Sequence, residues 1–314
     1  LTSLLRLARP KQWTKGAFVF LGALYSQKLF QPQGLWPAVA AFFAFGFAAS
    51  GCYVFNDLKD VAADRAHPRK RHRPIATGTV SQKQATLFGL VLLALAAIAV
   101  WLVPVRIDPL QPAAAWARLL LAATVVLYVV NTLLYTTRLK HAPVADVLSL
   151  ALGFVLRVLG GCAAVAVAPS TWLLNCTLFL SMFLAFGKRL GERRSFGDDT
   201  AAAVAARRVQ AHYTTDLLRM ATVVTAVATL LTYAGYVQSQ DAQYTLGFNL
   251  LWLTVLPATY GLLRCMLMVD RGEYDDPTEL AMRDRPFQAA AGVFGLLTVA
   301  LFIESMGKGL GRKG

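Results

Sequence analysis

Residues 38–64 read AVAAFFAFGFAASGCYVFNDLKDVAAD, and this stretch decides how the chain folds. No charged residue occurs in it up to Phe55. With the apolar residues before it, the run is about 20 residues long, which as a helix matches the hydrocarbon thickness of a bilayer. The acids follow at once, as Asp57, Asp60 and Asp64. The stretch therefore predicts a transmembrane helix that ends in a cluster of acids.

Similar apolar runs recur along the whole chain. Of its 314 residues, 56% are hydrophobic and 15% are charged, whereas a soluble domain carries about 25% charged residues. We predict an all-α, polytopic membrane protein of about nine transmembrane helices, folded as one domain over residues 1–314. The predicted spans are roughly 13–30, 33–57, 84–104, 116–136, 144–167, 170–187, 216–237, 246–268 and 286–306. The sequence begins at Leu1 without a methionine, so we expect residues upstream of it.

The basic residues are distributed unevenly between the two sides of the membrane. Of the 31 Lys and Arg residues, 24 fall in the N-terminal segment and in the connections after even-numbered spans. The positive-inside rule places that side in the cytoplasm, which predicts an inner-membrane protein with a polar cap at its cytoplasmic face and its C-terminus outside. Because this rule accounts for the net charge of +14, no nucleic-acid partner is needed. The sequence allows a homo-oligomer.

The acid cluster points to a metal. On a helix at about 100° per residue, Asn56, Asp60, Asp64 and Asp57 lie at about 0°, 40°, 80° and 100°, with Tyr53 at about 60° within the same arc. Carboxylates this close repel one another, and at a membrane boundary a cation must offset the repulsion. Oxygen ligands without His or Cys fit Mg²⁺. The alternative is a solvated helix end whose acids pair with nearby bases.

A run of bases follows the acids, in Arg65-Ala66-His67-Pro68-Arg69-Lys70-Arg71-His72-Arg73-Pro74-Ile75-Ala76-Thr77-Gly78. Arg binds phosphate bidentately and Lys binds it as a point charge. Acids that hold a metal beside bases that hold phosphate are the parts of a metal-diphosphate site. An ordinary positive-inside loop is the alternative, and Pro68, Pro74 and Gly78, which indicate a shaped loop, weigh against it.

A second group of polar residues runs from Tyr135 through Lys140 to Asp146, with Arg157 inside the fifth span. Charges inside a bilayer are costly unless they face a polar cavity or each other. Asp146 and Arg157 are separated by about 16 Å of helical rise, too far for contact. Each therefore needs another partner, such as a bound anion or its metal.

Two further clusters leave alternatives open. Lys188 and Arg189, with Glu192 nearby, end the sixth span and either bind phosphate or anchor the helix at the interface. The mixed charges around 270–285 predict ion pairs that order the last cytoplasmic loop.

These motifs resemble those of a known family. The pattern Asn56-Asp57-x-x-Asp60-x-x-x-Asp64 resembles the first signature of the UbiA-type prenyltransferase superfamily, which implies a nine-helix membrane fold that binds diphosphate through Mg²⁺. Four further segments resemble the branch that transfers phosphoribosyl groups to decaprenyl phosphate: ARPKQWTK, DRAHPRKRHRPIATG, YTTRLKHAPVADV with GFVLR, and FGKRLGERR. The second site departs from the superfamily pattern, because it holds the single acid Asp146 among bases. A donor with an additional phosphate suits fewer acids and more bases.

The resemblance implies a Mg²⁺-dependent enzyme that moves 5-phosphoribosyl from phosphoribosyl diphosphate to a polyprenyl phosphate and releases diphosphate. It further implies a role in supplying lipid-linked pentose for cell-wall polysaccharide. Two alternatives stay open: prenyl transfer to an aromatic acceptor, and a membrane transporter or lipid-binding protein.

Roles for single residues follow from this interpretation. The predicted metal ligands are Asn56, Asp60 and Asp64, and the predicted catalytic acids are Asp60, Asp64 and Asp146. Asp57 is expected to support the ligands without touching the metal. The residues predicted to bind substrate are Lys15, Tyr53, Asn56, Lys70, Arg71, Arg73, Tyr135, Lys140, Arg157, Lys188 and Arg189.

Overall fold

The computed structural model describes residues 2–26, 28–66, 70–104, 113–194, 208–240, 244–245, 248–273 and 277–311. Over these residues the regular structure is helical apart from two short strands. Strand β1 (Tyr244–Thr245) pairs antiparallel with β2 (Phe248–Asn249), so that Tyr244 faces Asn249 and Thr245 faces Phe248. The prediction of an all-α membrane fold is confirmed.

The helices follow one another with short connections. The α-helices are α1 (Thr2–Ala8), α2 (Val19–Tyr25), α3 (Pro32–Lys59), α4 (Val61–Ala66), α5 (Gln82–Trp101), α6 (Ala113–Thr137), α7 (Ala145–Ala164), α8 (Thr171–Arg194), α9 (Thr215–Gln238), α10 (Val255–Asp270), α11 (Pro277–Arg283) and α12 (Arg285–Gly311). Short 3-10 helices lie at Pro10–Phe18, Lys28–Phe30, Lys70–His72, Leu139–His141, Arg208–His212 and Leu250–Thr254.

Local sequence signals set several helix starts. Pro32 occupies the first turn of α3, where its missing N–H costs nothing. At α5, the Ser81 hydroxyl accepts from the Gln84 N–H and the Gln84 side chain accepts from the Ser81 N–H, which is a complete capping box. At α9, the Thr214 hydroxyl accepts from the Leu217 N–H at 3.1 Å.

In the described part of the chain, eight helices are long and apolar enough to cross a membrane, which makes this a multi-pass membrane protein. They are Gln33–Lys59, Gln82–Trp101, Ala115–Thr137, Ala145–Ala164, Thr171–Arg194, Thr215–Gln238, Leu250–Asp270 and Arg285–Glu304. They correspond to the second to ninth predicted spans.

The first predicted span, 13–30, has a different structure from the regular helix that we expected. It consists of the 3-10 helix Pro10–Phe18, then α2, then a 3-10 turn. A 3-10 helix rises about 2.0 Å per residue and an α-helix about 1.5 Å. The two helices together are therefore nearly as long as the bilayer hydrocarbon of about 30 Å, although they are not one span-length α-helix.

The chain divides into two compact units. Unit 1 comprises residues 1–138 and 152–169, and unit 2 comprises residues 139–151 and 170–314. The boundary between them runs through α7. The prediction of one catalytic domain over 1–314 stays a prediction.

Each unit has its own apolar core. In unit 1, Phe45 of α3 and Leu121 of α6 lie in a core rich in alanine, where small side chains let the helices approach closely. A Cβ on Gly161 of α7 would collide with the carbonyl of Val19, so the N-terminal segment packs directly against that helix. In unit 2, Phe186 of α8 and Met268 of α10 belong to one core cluster.

Candidate functional site

The N-terminal segment of unit 1 delivers a cation to the acidic end of α3. Between α1 and the 3-10 helix, Arg9 adopts the left-handed conformation with φ of 51°, which is uncommon for a residue other than glycine. The Ser50 hydroxyl donates to the carbonyl of Ala8 at 2.6 Å and accepts from the Trp13 indole at 2.9 Å. These two hydrogen bonds fix the chain on both sides of Arg9.

Arg9 forms an ion pair with Asp57 in which one guanidinium nitrogen contacts both carboxylate oxygens. Its Nη2 lies 2.6 Å from Oδ1 and 2.8 Å from Oδ2 of a carboxylate that is 2% exposed. The guanidinium carbon also lies 5.1 Å from the centre of the Tyr53 ring, within the range of a cation–π contact. Arg9 thus engages two residues of the predicted arc at once.

Arg73 connects two acids of the cluster. Its Nη1 donates to Asp57 Oδ1 at 2.9 Å and to Asp64 Oδ2 at 2.7 Å. Asp64 is 3% exposed, so both carboxylates are buried and both are neutralised by arginine. Buried carboxylates require such partners.

The loop that carries Arg73 forms a hydrogen-bonded turn, as Pro74 and Gly78 predicted. The N–H of Thr77 donates to the carbonyl of Arg73 at 3.0 Å, and Gly78 has a φ of 78°, which favours glycine. Ile75 and Val80 are buried in the same core cluster as Val54 of α3. The loop is therefore anchored on the helix that carries the acids.

The acid cluster departs from the single helix on which its arc was predicted. α3 ends at Lys59, Asp60 caps it, and α4 begins at Val61. Backbone hydrogen bonds from Asp60 to Asn56 and from Asp64 to Asp60 keep the spacing of four residues across the break. Asn56 and Asp60 are half-buried. Among the described residues, no group of three or more His, Cys, Asp or Glu side chains is arranged to hold a metal ion.

Arg157 occupies a separate aromatic cage in unit 1. Its Nη2 donates to the Tyr128 hydroxyl at 2.7 Å and its Nη1 to the Gly153 carbonyl at 3.1 Å. The guanidinium carbon lies 4.3 Å from the ring centre of Tyr128, 5.8 Å from that of Phe154 and 6.0 Å from that of Phe45. Arg157 is 5% exposed, yet in the described structure its Nε has no hydrogen-bond partner. The guanidinium is therefore shielded from solvent, and one of its N–H groups lacks a hydrogen-bond acceptor among the described residues.

Tyr53 of α3 links these two places. Arg9 lies over its ring at 5.1 Å, and the ring packs against the core cluster that contains Tyr128, the partner of Arg157. Unit 1 therefore contains a buried acid pair, two arginines on it, a tyrosine beside it, and a further buried arginine near that tyrosine.

Unit 2 holds a different polar network, centred on Asp146 at the start of α7. Arg189 of α8 donates from Nε to Asp146 Oδ2 at 3.1 Å and also pairs with Glu192. The Tyr213 hydroxyl donates to Asp146 Oδ1 at 2.7 Å and accepts the Val144 N–H at 2.7 Å. Burial, and then the hydrogen bond to Asp146, raises the pKa of Tyr213 well above its usual range. Val144 has a φ of 65°, a strained conformation for a β-branched residue.

The structure brings together some predicted residues and separates others. Asp146 meets Arg189, which were predicted in different clusters, and Arg157 has partners of its own, as the distance argument required. Arg189 contacts the two carboxylates of Asp146 and Glu192, and its role as a phosphate ligand stays a prediction. Arg71 is exposed, and the side chain of Lys70 lies outside the described residues. The half-buried residues of the predicted set include Lys15, Tyr135, Lys140 and Lys188.

Sequence reasoning missed four residues of these networks: Arg9, Tyr128, Glu192 as a partner of Arg189, and Tyr213. Arg9 lies in ARPKQWTK, one of the segments that resemble the family. For Tyr128 and Tyr213 no local signal existed, because their partners are 29 and 67 residues away.

Known proteins resemble this chain over most of its length. A model of the UbiA prenyltransferase family matches residues 16–283. Decaprenyl-phosphate phosphoribosyltransferase from Mycolicibacterium smegmatis is 33% identical over 298 residues, covering 91% of this chain and 88% of the relative. The enzyme of the same name from Corynebacterium glutamicum is 32% identical over 309 residues, covering 96% and 88%. The structure of a UbiA homolog from Archaeoglobus fulgidus bound to GPP and Mg²⁺ has a TM-score of 0.66 at 17% identity, covering 95% of this chain and 99% of that one.

Proposed function

We propose that this chain, which belongs to the UbiA prenyltransferase family, transfers the 5-phosphoribosyl group of phosphoribosyl diphosphate to a polyprenyl phosphate and releases diphosphate. Relatives that are about one-third identical over nine-tenths of the chain carry the name of that activity with decaprenyl phosphate. The finer proposals are that the product supplies lipid-linked pentose for a cell-wall polysaccharide and that the reaction occurs at the cytoplasmic face of the inner membrane.

The observation that carries the proposal is the buried charge of Arg157. Its cage consists of aromatic rings and a backbone carbonyl, and no carboxylate pairs with it within the described residues. A buried cation is costly without an anion. The unmatched Nε is therefore a place for a phosphate oxygen.

The number of cationic places in unit 1 suits phosphoribosyl diphosphate. This donor has a diphosphate at one end of the ribose and a separate phosphate at the other, and it needs two anion-binding places. The acid pair with its basic loop is one, and Arg157 is the other. A prenyl diphosphate presents one diphosphate and an apolar chain, so it has no second anionic group to pair with the buried guanidinium of Arg157.

Oxygen donors for a divalent metal are present in unit 1. Structures with this fold have been solved with Mg²⁺ and with Cd²⁺ bound. In this chain, carboxylate oxygens of Asp57 and Asp64 already converge on one cationic nitrogen of Arg73, and oxygen-rich sites suit Mg²⁺. We propose that Asp64, Asp60 and Asn56 hold the metal, with Asp57 beside them. The metal would neutralise the diphosphate as it leaves.

The remaining chemistry is binding and alignment by the chain's own residues. The lipid phosphate is already an anion and needs little activation as a nucleophile. One of its oxygens forms the new bond to C1 of the ribose while the bond from C1 to the diphosphate oxygen breaks. Bases of the loop after α4 would hold the diphosphate, and Arg157 and Tyr53 would hold the ribose end, which lowers the barrier by orientation and charge compensation. Asp146 and Lys140 remain proposed site residues in unit 2.

Incubation of purified protein with radiolabelled donors tests the proposal. Label from phosphoribosyl diphosphate should enter the lipid fraction when polyprenyl phosphate is supplied. Label from a prenyl diphosphate, offered with an aromatic acceptor such as 4-hydroxybenzoate, should not be transferred. The reverse result would establish prenyl transfer, and transfer from neither donor would favour a transporter or lipid-binding protein.

A further inference from the structure

Arg73 occupies the place where the acids of unit 1 share a positive charge. A single nitrogen, Nη1, lies within hydrogen-bond distance of Asp57 and Asp64, which are otherwise buried. Arg73 is also one of the bases predicted to bind the donor. The same side chain thus contacts Asp57 and the proposed metal ligand Asp64, and it is also one of the residues proposed to bind the donor.

The two buried carboxylates of this group are balanced in charge, whereas Asp60, the third acid of the cluster, is half-buried. The two buried carboxylates are matched by the two guanidinium groups of Arg9 and Arg73. A divalent cation bound to Asp64 would add two positive charges beside Arg73 in a place with little water to screen them. Release of one arginine from the acids, or binding of an anion beside the metal, would offset this added positive charge.

Of the two arginines, Arg73 can leave the acids with the smaller loss of contacts. Arg9 holds both oxygens of Asp57 and lies against the ring of Tyr53. Arg73 reaches each acid through one oxygen only. Its backbone carbonyl accepts hydrogen bonds from the N–H and hydroxyl of Thr77, so the side chain can turn while the loop stays in place.

We propose that Arg73 is an exchangeable counter-ion, which neutralises Asp57 and Asp64 when no metal is bound and moves to a phosphate of the donor when the metal enters. This inference rests on the proposed metal and donor. It requires metal and donor to bind in synergy, because each favours the state in which Arg73 has left the acids. By linkage, the donor must raise metal affinity by the same factor as the metal raises donor affinity.

Metal binding measured without turnover tests this exchange. Mn²⁺ binding to purified full-length protein in nanodiscs is followed by electron paramagnetic resonance, with and without inorganic diphosphate as the probe for the donor. Arg73→Gln should bind Mn²⁺ at least tenfold more tightly than the parent when diphosphate is absent. Diphosphate should tighten Mn²⁺ binding in the parent and do so much less in the variant.

Two further variants keep the test decisive. Lys83→Gln removes one positive charge from an exposed residue at the start of α5, just after this loop, and it should keep the parent's Mn²⁺ affinity in the absence of diphosphate. This control separates release of Arg73 from a general change in charge near the acids. If Arg73→Gln does not fold, Arg73→Lys retains a positive charge but cannot bridge both acids as well, and it should show a smaller gain in affinity.

The outcomes separate this inference from the function on which it rests. Equal or weaker Mn²⁺ affinity in the Arg73 variants, with clear binding in the parent, overturns the exchange and leaves the metal assignment intact. Absence of Mn²⁺ binding in the parent and in all variants, with and without diphosphate, overturns the metal assignment and the exchange together.

Discussion

Arg189 donates a hydrogen bond from Nε to Asp146 Oδ2 across 3.1 Å, and neither side chain is more than 1% exposed. This pair joins the end of α8 to the start of α7 within unit 2. A buried ion pair of this kind is costly to break, because removing one partner strands the other charge.

The first prediction is that Arg189→Ala destabilises the protein by about 3–5 kcal/mol. Arg194→Ala is the matched control, since Arg194 pairs with Asp270 at 2.7 Å where the side chains are 20% and 55% exposed, and exposed pairs contribute about 1 kcal/mol or less. Thermal unfolding in detergent, followed by circular dichroism, compares the two. An Arg189→Ala protein as stable as the parent but unable to bind donor would contradict the structural role and support the predicted phosphate role.

The second prediction concerns how the stability contributed by Asp284 changes at low pH. The Arg264 guanidinium holds the pKa of Asp284 below its ordinary value of 3.8, through hydrogen bonds of 3.2 Å and 2.8 Å. Because the folded-state pKa is the lower one, the stabilisation is complete above the unfolded pKa and is lost as pH falls through the folded pKa. The difference in unfolding temperature between the parent and Asp284→Asn should be constant near neutral pH and shrink below about pH 4. A difference that stays constant down to pH 3 would contradict the pairing.

Hydropathy was sufficient for most of the fold. Each of the second to ninth spans contains a long apolar stretch, and hydrocarbon thickness fixes how long such a helix must be. The segment 10–25 was harder, because hydropathy does not distinguish 3-10 from α geometry. It also does not show that Val19 packs against Gly161, 142 residues further along the chain.

The candidate site was predictable only where its partners are close in sequence. The spacing of Asp57, Asp60 and Asp64 indicated a shared face and the need for a cation. It could not show that Arg9, 48 residues before Asp57, and Arg73 would supply positive charge there. Helical periodicity reports neighbours three or four residues away, whereas these contacts depend on how α1, α3 and the loop after α4 pack.

The third prediction is the orientation in the membrane, which rests on the unequal distribution of Lys and Arg. Thr77 is exposed in a connection predicted to be cytoplasmic, and Ser170 is exposed in one predicted to be outside. A cysteine at Ser170 should react with a membrane-impermeant thiol reagent in intact cells, whereas a cysteine at Thr77 should react only after the cells are opened. The unmodified chain, in which Cys52, Cys162 and Cys265 are buried, gives the background. Stronger labelling at Thr77 than at Ser170 in intact cells would reverse the orientation.

The last prediction tests the second anion-binding place and rests on Arg157. A charge-assisted contact to a phosphate is worth about 1.5–3 kcal/mol, so Arg157→Ala should lower kcat/KM for phosphoribosyl diphosphate by about tenfold to a hundredfold. Arg157→Lys keeps the charge and loses the planar fork, and it should recover part of the activity. The measurement is the initial rate of label transfer to polyprenyl phosphate at several donor concentrations.

Two controls separate loss of the anion contact from loss of the fold. Tyr128→Phe removes the hydroxyl that accepts from Arg157 at 2.7 Å while leaving the ring and the charge, so its effect on kcat/KM should be smaller than that of Arg157→Ala. Each variant must elute as the parent does in size-exclusion chromatography and unfold within a few degrees of it. If a folded Arg157→Ala protein used phosphoribosyl diphosphate at the parent rate, the buried guanidinium would have no donor phosphate to bind. Its unmatched Nε would then be a purely structural feature, and other residues would have to bind the second phosphate of the donor.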